Sequence, residues 1–177
     1  RLKLGEPVRT MVRDGDAWLV DGEIRTPLVV GAGGHFCPVA RMLGSPPGHS
    51  ESVVAAQELE FPLAARDRSA CRIDNEMVQL YFCADLKGYG WCFAKGDYLN
   101  VGLGREDSHK LSGHVENFCR WLQQRGTLPR SLPQKFRGHA YLLYPASRRK
   151  LTADGVLLIG DAAGLAYPQS GEGIRPA

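Results

Sequence analysis

Residues 156–174 read VLLIGDAAGLAYPQSGEGI, and the first four of them are consecutive apolar side chains. A short apolar run that ends at a polar turn is typical of a strand buried on both faces, because such a strand shows no polar–apolar alternation. The small residues that follow would let a large flat ligand approach the backbone. Asp161 would present a carboxylate at the carboxyl end of the strand, where open α/β sheets bind their ligands. Residues 171–174 predict the start of a helix, whose free N–H groups and positive dipole end would stabilise a developing negative charge.

The order of the residues in this stretch is more specific than any one of them. The residues alone leave an alternative to a ligand-binding site, which is a buried strand that ends in an ordinary Gly-Asp turn. Gly-Asp-Ala-Ala-Gly, then proline, then Gly-Glu-Gly-Ile resembles the second flavin-binding motif of the FAD-dependent reductases and hydroxylases related to para-hydroxybenzoate hydroxylase. The resemblance implies that Asp161 binds the ribityl chain of FAD and that Pro168 and residues 171–174 flank the isoalloxazine ring. The cofactor-binding residues implied here are Gly160, Asp161, Ala162, Gly164, Pro168, Gly171, Gly173 and Ile174.

The composition of the 177 residues is ordinary for a globular domain, with 44% hydrophobic and 23% charged residues. The net charge of +3, without a basic run, argues against nucleic acid as a partner. No apolar run approaches the ~20 residues of a membrane span. The five cysteines are scattered and lack C-x-x-C spacing, so the sequence predicts reduced thiols, a cytoplasmic protein and no metal site.

Three β-type runs open the chain, at residues 8–12, 18–20 and 23–30. Asp21-Gly22 lies between the last two and is a strong signal for a tight hairpin turn. The sequence therefore predicts a three-stranded meander, with Trp18 packed on one face.

The last of these runs leads into GAGGHFCPVAR, residues 31–41. As a dinucleotide-binding fingerprint the stretch is weak, because Phe36 stands at the third glycine position and Pro38 follows. We interpret His35 as a turn residue.

The same stretch resembles the middle motif of the hydroxylase-related family, in which a strand ends in Gly-Ala-Asp-Gly and a short helix ends in arginine. The resemblance implies cofactor-binding roles for Gly31, Gly34 and Arg41. A solvated arginine at a helix end is the alternative for Arg41. Gly33 stands where the family has an aspartate linked to flavin and nicotinamide binding, so NAD(P)H as the electron donor is left open.

Residues 89–104 read YGWCFAKGDYLNVGLG and predict a β-hairpin with an aromatic face. They resemble the geranylgeranyl-reductase motif Tyr-x-Trp-x-Phe-Pro-Lys followed by Gly-x-Gly, with Ala94 in place of the proline. In that family the motif lines a hydrophobic substrate cavity beside the flavin, and related flavin halogenases and hydroxylases carry a similar Trp-rich strand. The resemblance implies that Lys95 orients a polar head group. The implied substrate-pocket residues are Tyr89, Trp91, Phe93, Lys95, Gly102 and Gly104.

The remaining pattern defines the expected architecture. Strand-like runs lie at 52–61, 77–83 and 136–144, and residues 111–124 have the apolar spacing of an amphipathic helix. We interpret Arg148-Arg149-Lys150 as a solvated turn. Gly-Ser-Pro-Pro-Gly at 44–48 breaks the chain. The predicted fold class is α+β, an incomplete para-hydroxybenzoate hydroxylase-like fold. Its predicted parts are the FAD-domain remnants 1–44 and 151–177 and a substrate-side antiparallel sheet with one helix, 45–150.

The resemblance also sets expectations about what the chain lacks. It has no amino-terminal βαβ unit with G-x-G-x-x-G, which would bind the FAD pyrophosphate. We therefore expect an internal fragment of a longer flavoprotein, with weak or no FAD binding by residues 1–177 alone. A missing central strand would leave an open sheet edge, through which we expect homo-oligomers to form.

The motifs lead to three hypotheses of function. In the first, the parent protein is an FAD-dependent oxidoreductase of the geranylgeranyl-reductase branch that reduces carbon–carbon double bonds of a small apolar, isoprenoid-like substrate. In the second, the same flavin supports oxygen-dependent hydroxylation or halogenation. In the third, the chain is a catalytically silent, β-rich binding domain, since one fold hosts several functions.

Overall fold

The computed structural model of the protein describes residues 2–44, 53–74, 76–107, 110–133, 135–144, 147–173 and 175. The chain divides into two units, Arg1–Ser52 with Tyr141–Ala177, and Val53–Ala140. The first is the terminal unit and the second the central unit. The predicted domain ranges, which end at residues 44 and 150, stay a prediction.

The terminal unit begins with the predicted meander, which is confirmed. Strands β1 (Met11–Asp14), β2 (Ala17–Val20) and β3 (Ile24–Thr26) pair antiparallel in that order. Asp21 and Gly22 both have positive φ, as a type I′ hairpin turn requires. Trp18 lies on β2 and its indole Nε1 donates a hydrogen bond to the carbonyl of Asp154 at 3.0 Å.

The predicted strand at residues 23–30 is in fact two strands in different sheets. The chain leaves the meander after β3 at Pro27, because proline has no N–H to donate to a strand ladder. The Thr26 hydroxyl donates a hydrogen bond to the carbonyl of Leu28 at this point. Strand β4 (Val29–Gly31) then enters a second sheet. A short helix, α1 (Pro38–Met42), follows.

The second sheet brings the two ends of the terminal unit together. After the intervening central unit, described below, come the short strands β10 (Thr152–Ala153) and β11 (Val156–Leu158), and the sheet order is β10-β11-β4. Strand β11 pairs with β4 in parallel, with Leu157 opposite Val30.

The sequence predicts that the apolar run at residues 156–159 is buried on both faces, and this prediction is wrong. Val156 and Leu158 are buried, whereas Leu157 is 40% exposed and Ile159 is 42% exposed. Val30 on the neighbouring strand points the same way as Leu157 and is 47% exposed. One face of the sheet therefore packs on α1 and the other presents apolar side chains.

The central unit is built on an antiparallel sheet with the strand order β6-β7-β8-β5-β9. Its strands are β5 (Val53–Pro62), β6 (Gln79–Phe82), β7 (Gly88–Lys95), β8 (Tyr98–Arg105) and β9 (Arg137–Leu142). The predicted hairpin is the β7–β8 pair, with Trp91 opposite Gly102. A short helix that the sequence did not predict, α2 (Ala65–Ala70), follows β5.

Helix α3 (Leu111–Gln124) covers one face of this sheet and confirms the predicted helix. Its buried residues Leu111, Val115, Cys119 and Leu122 pack on buried side chains of the central strands, among them Leu99 and Val101. The mixed α+β class is thereby confirmed. No helix among the residues that the structure describes combines the length and the apolar character needed to cross a membrane.

Candidate functional site

The Gly160-Asp161 motif forms a tight turn directly after β11. Residues Gly160–Ala162 make one turn of 3₁₀ helix, and Gly160 has φ of +57°, a conformation that favours glycine. Ala162 and Ala163 are fully buried. Gly164 also has positive φ, and a Cβ there would lie 2.5 Å from the Ser147 hydroxyl. The small residues of the motif are thus required by packing and by backbone conformation.

The Asp161 side chain is half-buried. Among the residues that the structure describes, no cation pairs with its carboxylate. Gly173 lies beside it, since a Cβ on Gly173 would be 3.6 Å from Asp161 Oδ1. A carboxylate in this state can accept hydrogen bonds from ligand hydroxyl groups. This arrangement fits the ribityl chain that the motif implies.

The loop beyond the turn is not helical in the part that the structure describes, which reaches Gly173. Residues 171–173 are not helical, and Ile174 lies outside the described residues. The N–H of Gly171 donates to the carbonyl of Tyr167 at 2.8 Å, and the N–H of Tyr167 donates to the carbonyl of Glu172 at 2.9 Å. The positive φ of Gly171 explains why the chain turns here instead of starting a helix. Pro168 is exposed in the same loop.

The middle motif lies next to the Gly160-Asp161 turn. The N–H of Ile159 donates to the carbonyl of Gly31 at 3.0 Å. Gly31 is required by packing, because a Cβ there would lie 2.5 Å from the Leu158 side chain and 3.0 Å from Val39. Gly34 has positive φ and open space around it, and Arg41 is exposed in the last turn of α1.

Gly33 occupies a position with little room for a side chain. A Cβ on Gly33 would lie 3.2 Å from Cys37 Cα and 3.3 Å from Pro38. An aspartate there would push against this short connection. A side chain at position 33 would therefore require Cys37 and Pro38 to shift by a few tenths of an ångström.

Arg149 was missed by the sequence reasoning, and its interpretation as part of a solvated turn is wrong. Its guanidinium is buried and donates from Nη1 to the carbonyls of Asp161 at 3.3 Å and Ala162 at 3.1 Å. Its Nη2 lies 3.1 Å from Nδ1 of His35, which is also buried. The local sequence holds no signal that would distinguish Arg149 from the exposed Arg148.

The aromatic residues of the second motif share one face of the central sheet. Tyr89, Trp91 and Phe93 alternate along β7, are half-buried, and lie on the face opposite α3. We call this surface the aromatic face. The rings of Tyr89 and Trp91 have centroids 6.1 Å apart.

Two glycines of the motif make room for Trp91. A Cβ on Gly102 would overlap the Trp91 ring, and a Cβ on Gly104 would lie 3.8 Å from it. The indole Nε1 donates a hydrogen bond to Asn100 Oδ1 at 2.7 Å. The hydrogen bond to Asn100 therefore fixes one end of the ring. The absence of side chains at Gly102 and Gly104 lets the ring lie flat on β8.

Polar groups flank the aromatic face on β5 and β8. The Asn100 amide donates to Glu60 at 3.2 Å and to Glu58 at 3.4 Å. Lys95 Nζ lies 3.2 Å from the same Glu60 carboxylate. The hydrogen bond from Asn100, and then that from Lys95, lowers the pKa of Glu60. Lys95 thus has its charge compensated within the protein.

Sequence reasoning also missed the contribution of β6 to this surface. Leu80 lies opposite Trp91 and Phe82 opposite Tyr89, and both side chains are exposed. The Phe82 and Tyr89 rings have centroids 6.3 Å apart. Period-two alternation within the predicted strand 77–83 would have placed Leu80 and Phe82 on one face, but nothing in the sequence indicated the pairing of that strand with β7.

A separate cavity lies on the face that α3 covers, and the sequence did not predict it. It has a volume of about 580 Å³ and its walls include Tyr81, Phe118 and Trp121. Arg105 borders it and is 3% exposed. The Arg105 guanidinium binds Asp85 and Asp107, each at 2.7 Å.

No family model matches the chain, but individual relatives do. The digeranylgeranylglycerophospholipid reductase of Methanococcus vannielii is 32% identical over 161 residues, which is 87% of this chain and 38% of that protein. The chloroplastic geranylgeranyl diphosphate reductase of Oryza sativa is 31% identical over 159 residues, 86% of this chain and 32% of that protein. The chain therefore spans less than half of the length of these curated relatives.

Solved structures share the fold. A geranylgeranyl bacteriochlorophyll reductase-like protein of Thermoplasma acidophilum matches 96% of this chain and 44% of its own, with a TM-score of 0.70 and 20% identity. A variant of the halogenase PltM, solved with FAD, matches 94% of this chain and 38% of its own, with a TM-score of 0.64 and 10% identity. The comparisons confirm the predicted resemblance to the geranylgeranyl-reductase branch and the predicted fold.

Proposed function

We propose that this relative of the geranylgeranyl reductases is part of an FAD-dependent oxidoreductase that reduces carbon–carbon double bonds of an apolar, isoprenoid-like substrate. By "the whole protein" we mean a chain of the relatives' length that contains residues 1–177. The observation that carries the proposal is the Asp161 carboxylate, which is half-buried after the end of β11 and lies beside Gly173. The named activities of the relatives support the choice of a reductase.

The cofactor part of the proposal rests on the terminal unit. Asp161 would accept hydrogen bonds from the ribityl hydroxyls, and the backbone of Gly171 and Gly173 would lie along the ring. The remaining residues of the two motifs would complete the cofactor site: Gly160, Ala162, Gly164, Pro168, Ile174, Gly31, Gly34 and Arg41. Residues 1–44 and 151–177 would belong to the FAD domain of the whole protein. Reduced flavin supplies the hydride equivalents for this chemistry.

The substrate part of the proposal rests on the central unit, which lies within the proposed substrate-side part, residues 45–150. Tyr89, Trp91 and Phe93 would bind an isoprenoid chain by burying its apolar surface. Leu80 and Phe82 would extend this wall across β6, with Gly102 and Gly104 beneath Trp91. Because Lys95 is paired with Glu60, we propose that it fixes the polar edge of the wall rather than carrying a free charge for a head group.

Flavin retention tests the proposal first. The whole protein is incubated with FAD, desalted and measured by absorbance, beside residues 1–177 alone. We expect the whole protein to retain flavin and the shorter chain to retain little or none. A colourless whole protein would refute the proposal and favour a silent binding domain.

Turnover tests the reaction. The reduced whole protein is mixed without oxygen with a geranylgeranyl lipid, and mass spectrometry measures the gain of two hydrogen atoms per double bond. Dithionite and NADPH are compared as reductants, because Gly33 leaves the electron donor open. Self-association through a sheet edge stays a prediction that sedimentation can check.

Oxygen-dependent hydroxylation or halogenation is the second candidate function, favoured by the fold shared with the halogenase PltM. Rapid oxygen consumption by the reduced whole protein, without reduction of the geranylgeranyl lipid, would support this candidate over the reductase.

A further inference from the structure

Arg149 is a buried arginine that no motif of the sequence assigns. It lies between β9 and β10 and is 7% exposed, whereas its neighbour Arg148 is exposed. A guanidinium has five donors and no acceptor, and its burial is costly unless those donors are used. What Arg149 binds therefore indicates why it is buried.

Arg149 and Ser147 together bind three successive carbonyl groups of the Gly160-Asp161 turn. Arg149 Nη1 donates to the carbonyls of Asp161 and Ala162, at 3.3 and 3.1 Å. The Ser147 hydroxyl donates to the carbonyl of Ala163 at 3.1 Å. Residues 161–163 form a turn, and their carbonyls have no strand ladder in which to pair. The segment that holds Arg149 thus fixes the backbone from which the Asp161 side chain projects.

The same guanidinium reaches the middle motif through His35. Arg149 Nη2 lies 3.1 Å from Nδ1 of His35, which is 6% exposed. Since the guanidinium can only donate, Nδ1 of His35 is the acceptor and carries no proton in this contact. His35 belongs to the connection between β4 and α1, the part of the chain that includes Gly34. One side chain therefore joins the loop after β4 to the turn after β11.

We propose that Arg149 is a positioning residue for the flavin site and that His35 is its partner. Arg149 holds the turn of residues 160–163 against the loop after β4 and so fixes the direction of the Asp161 carboxylate. The inference rests on the proposed function, because it takes Asp161 as a ligand of FAD. Arg149 acts through the backbone carbonyls of Asp161 and Ala162.

The experiment measures FAD affinity in the whole protein by quenching of flavin fluorescence. The variants are Arg149→Met, Arg149→Lys, His35→Gln and His35→Leu, with Arg148→Met as the matched control. Partners that orient a ligand of a metal typically affect binding about 10- to 100-fold, and we expect a weakening of that order for Arg149→Met. Arg148→Met should bind FAD like the unmodified protein.

The conservative variants separate positioning from simple stability. Lysine keeps the charge but has one nitrogen, which cannot serve both carbonyls and His35 at once, so Arg149→Lys should lie between Arg149→Met and the unmodified protein. Glutamine can supply an acceptor in place of Nδ1, so His35→Gln should bind FAD more tightly than His35→Leu. The visible spectrum of the bound flavin should shift in Arg149→Lys, because Gly173, which would lie along the ring, packs beside the Asp161 side chain.

Three outcomes overturn the inference. The first is that Arg149→Lys and His35→Leu bind FAD with unchanged affinity and an unchanged flavin spectrum. This result overturns the inference whether or not Arg149→Met folds. A fall in the unfolding temperature of the apoprotein, with affinity unchanged in the folded fraction, would show a structural role only. A colourless unmodified protein would overturn the proposed function and this inference with it, and that result is read before any variant.

Discussion

Trp91 shows how single residues prepare the aromatic face. Its indole ring lies where the side chain of residue 102 would otherwise be, and its N–H bonds the buried Asn100. Asn100 in turn donates to Glu58 and Glu60. The orientation of one aromatic ring thus depends on a glycine and an amide from the neighbouring strand. Both dependences can be tested in residues 1–177 alone.

Gly102→Ala should destabilise the chain. The new Cβ would overlap the Trp91 ring and lie 2.8 Å from the carbonyl of Gln57, so the ring must leave its position. Overpacking of this kind costs about 1–3 kcal/mol, which unfolding by urea can measure. Gly104→Ala is the control, because its nearest neighbour, Ala56 Cβ, would be 3.5 Å away. Equal stability of the two variants would contradict this account of Trp91.

Asn100→Leu should also lower the free energy of unfolding. The substitution keeps the size of the side chain but removes the acceptor of the Trp91 N–H, and the loss of a hydrogen bond costs about 0.5–1.5 kcal/mol. Asn117→Leu on α3 is the matched control, since Asn117 is exposed and accepts a hydrogen bond from Arg120. A loss no larger than in the control would show that the Trp91–Asn100 bond contributes nothing to stability.

At the level of elements, an arginine joins the β6–β7 turn to the end of β8. Arg105 is the last residue of β8 and binds Asp85 in the turn and Asp107 beyond the strand. Hydrogen bonds from Arg105 are the main reason that the pKa of Asp85 is lowered to about 2. They likewise lower the pKa of Asp107. The turn therefore depends on charges that acid can remove.

The stability contributed by Asp85 should disappear in acid. Its pKa is lower in the folded chain, about 2, than the ordinary value of about 3.9 in an unfolded chain. A lowered pKa stabilises the fold above the unfolded value, and this contribution is lost as the pH falls through the folded value. The difference in urea midpoint between the unmodified chain and Asp85→Asn should therefore be largest above about pH 4. It should vanish as the pH falls towards about 2.

Asp97→Asn is the control for this pH series. Asp97 pairs with Arg68 at 3.3 Å, but its side chain is exposed, and such surface pairs contribute little. We expect its midpoint difference to stay small and flat with pH. A difference for Asp85→Asn that persists undiminished at pH 2 would contradict the assignment.

For the molecule as a whole, the sequence predicted the features that local patterns encode. The meander followed from Asp21-Gly22 and α3 from its apolar spacing, because turns and amphipathic faces depend on nearby residues. The order of the motifs also indicated the resemblance to the geranylgeranyl reductases. Pro27 could have revealed the break between β3 and β4, since proline cannot continue an inner ladder.

The sequence could not predict features that depend on distant partners. Burial of Arg149 depends on the turn of residues 160–163 and on His35, which is 114 positions away. Exposure of Leu157 depends on what covers its face of the sheet, and an apolar run has no alternation from which to infer it. Similarly, the wall formed by Leu80 and Phe82 appears only once β6 pairs with β7. The long-range pairing of elements decides all three.

The division of the chain into two units leads to a prediction about the whole protein. If cofactor and substrate are bound by different units, variants should separate the two functions. Asp161→Ala in the terminal unit should lose flavin on desalting, because the ribityl hydroxyls lose their acceptor. Trp91→Leu and Tyr89→Leu in the central unit should keep flavin and lose reduction of the geranylgeranyl lipid, since the apolar wall is altered. Absorbance and product mass measure the two properties on one sample.

A control variant makes the separation decisive. Trp121→Leu changes an aromatic residue that is 40% exposed on α3, away from the aromatic face, and should keep both flavin and turnover. Full turnover in both Trp91→Leu and Tyr89→Leu would remove the aromatic face from the substrate site while leaving the flavin assignment intact. Full flavin retention in Asp161→Ala would remove Asp161 from the flavin site while leaving the aromatic face assigned to the substrate. Because each result concerns one unit, failure of one assignment leaves the other standing.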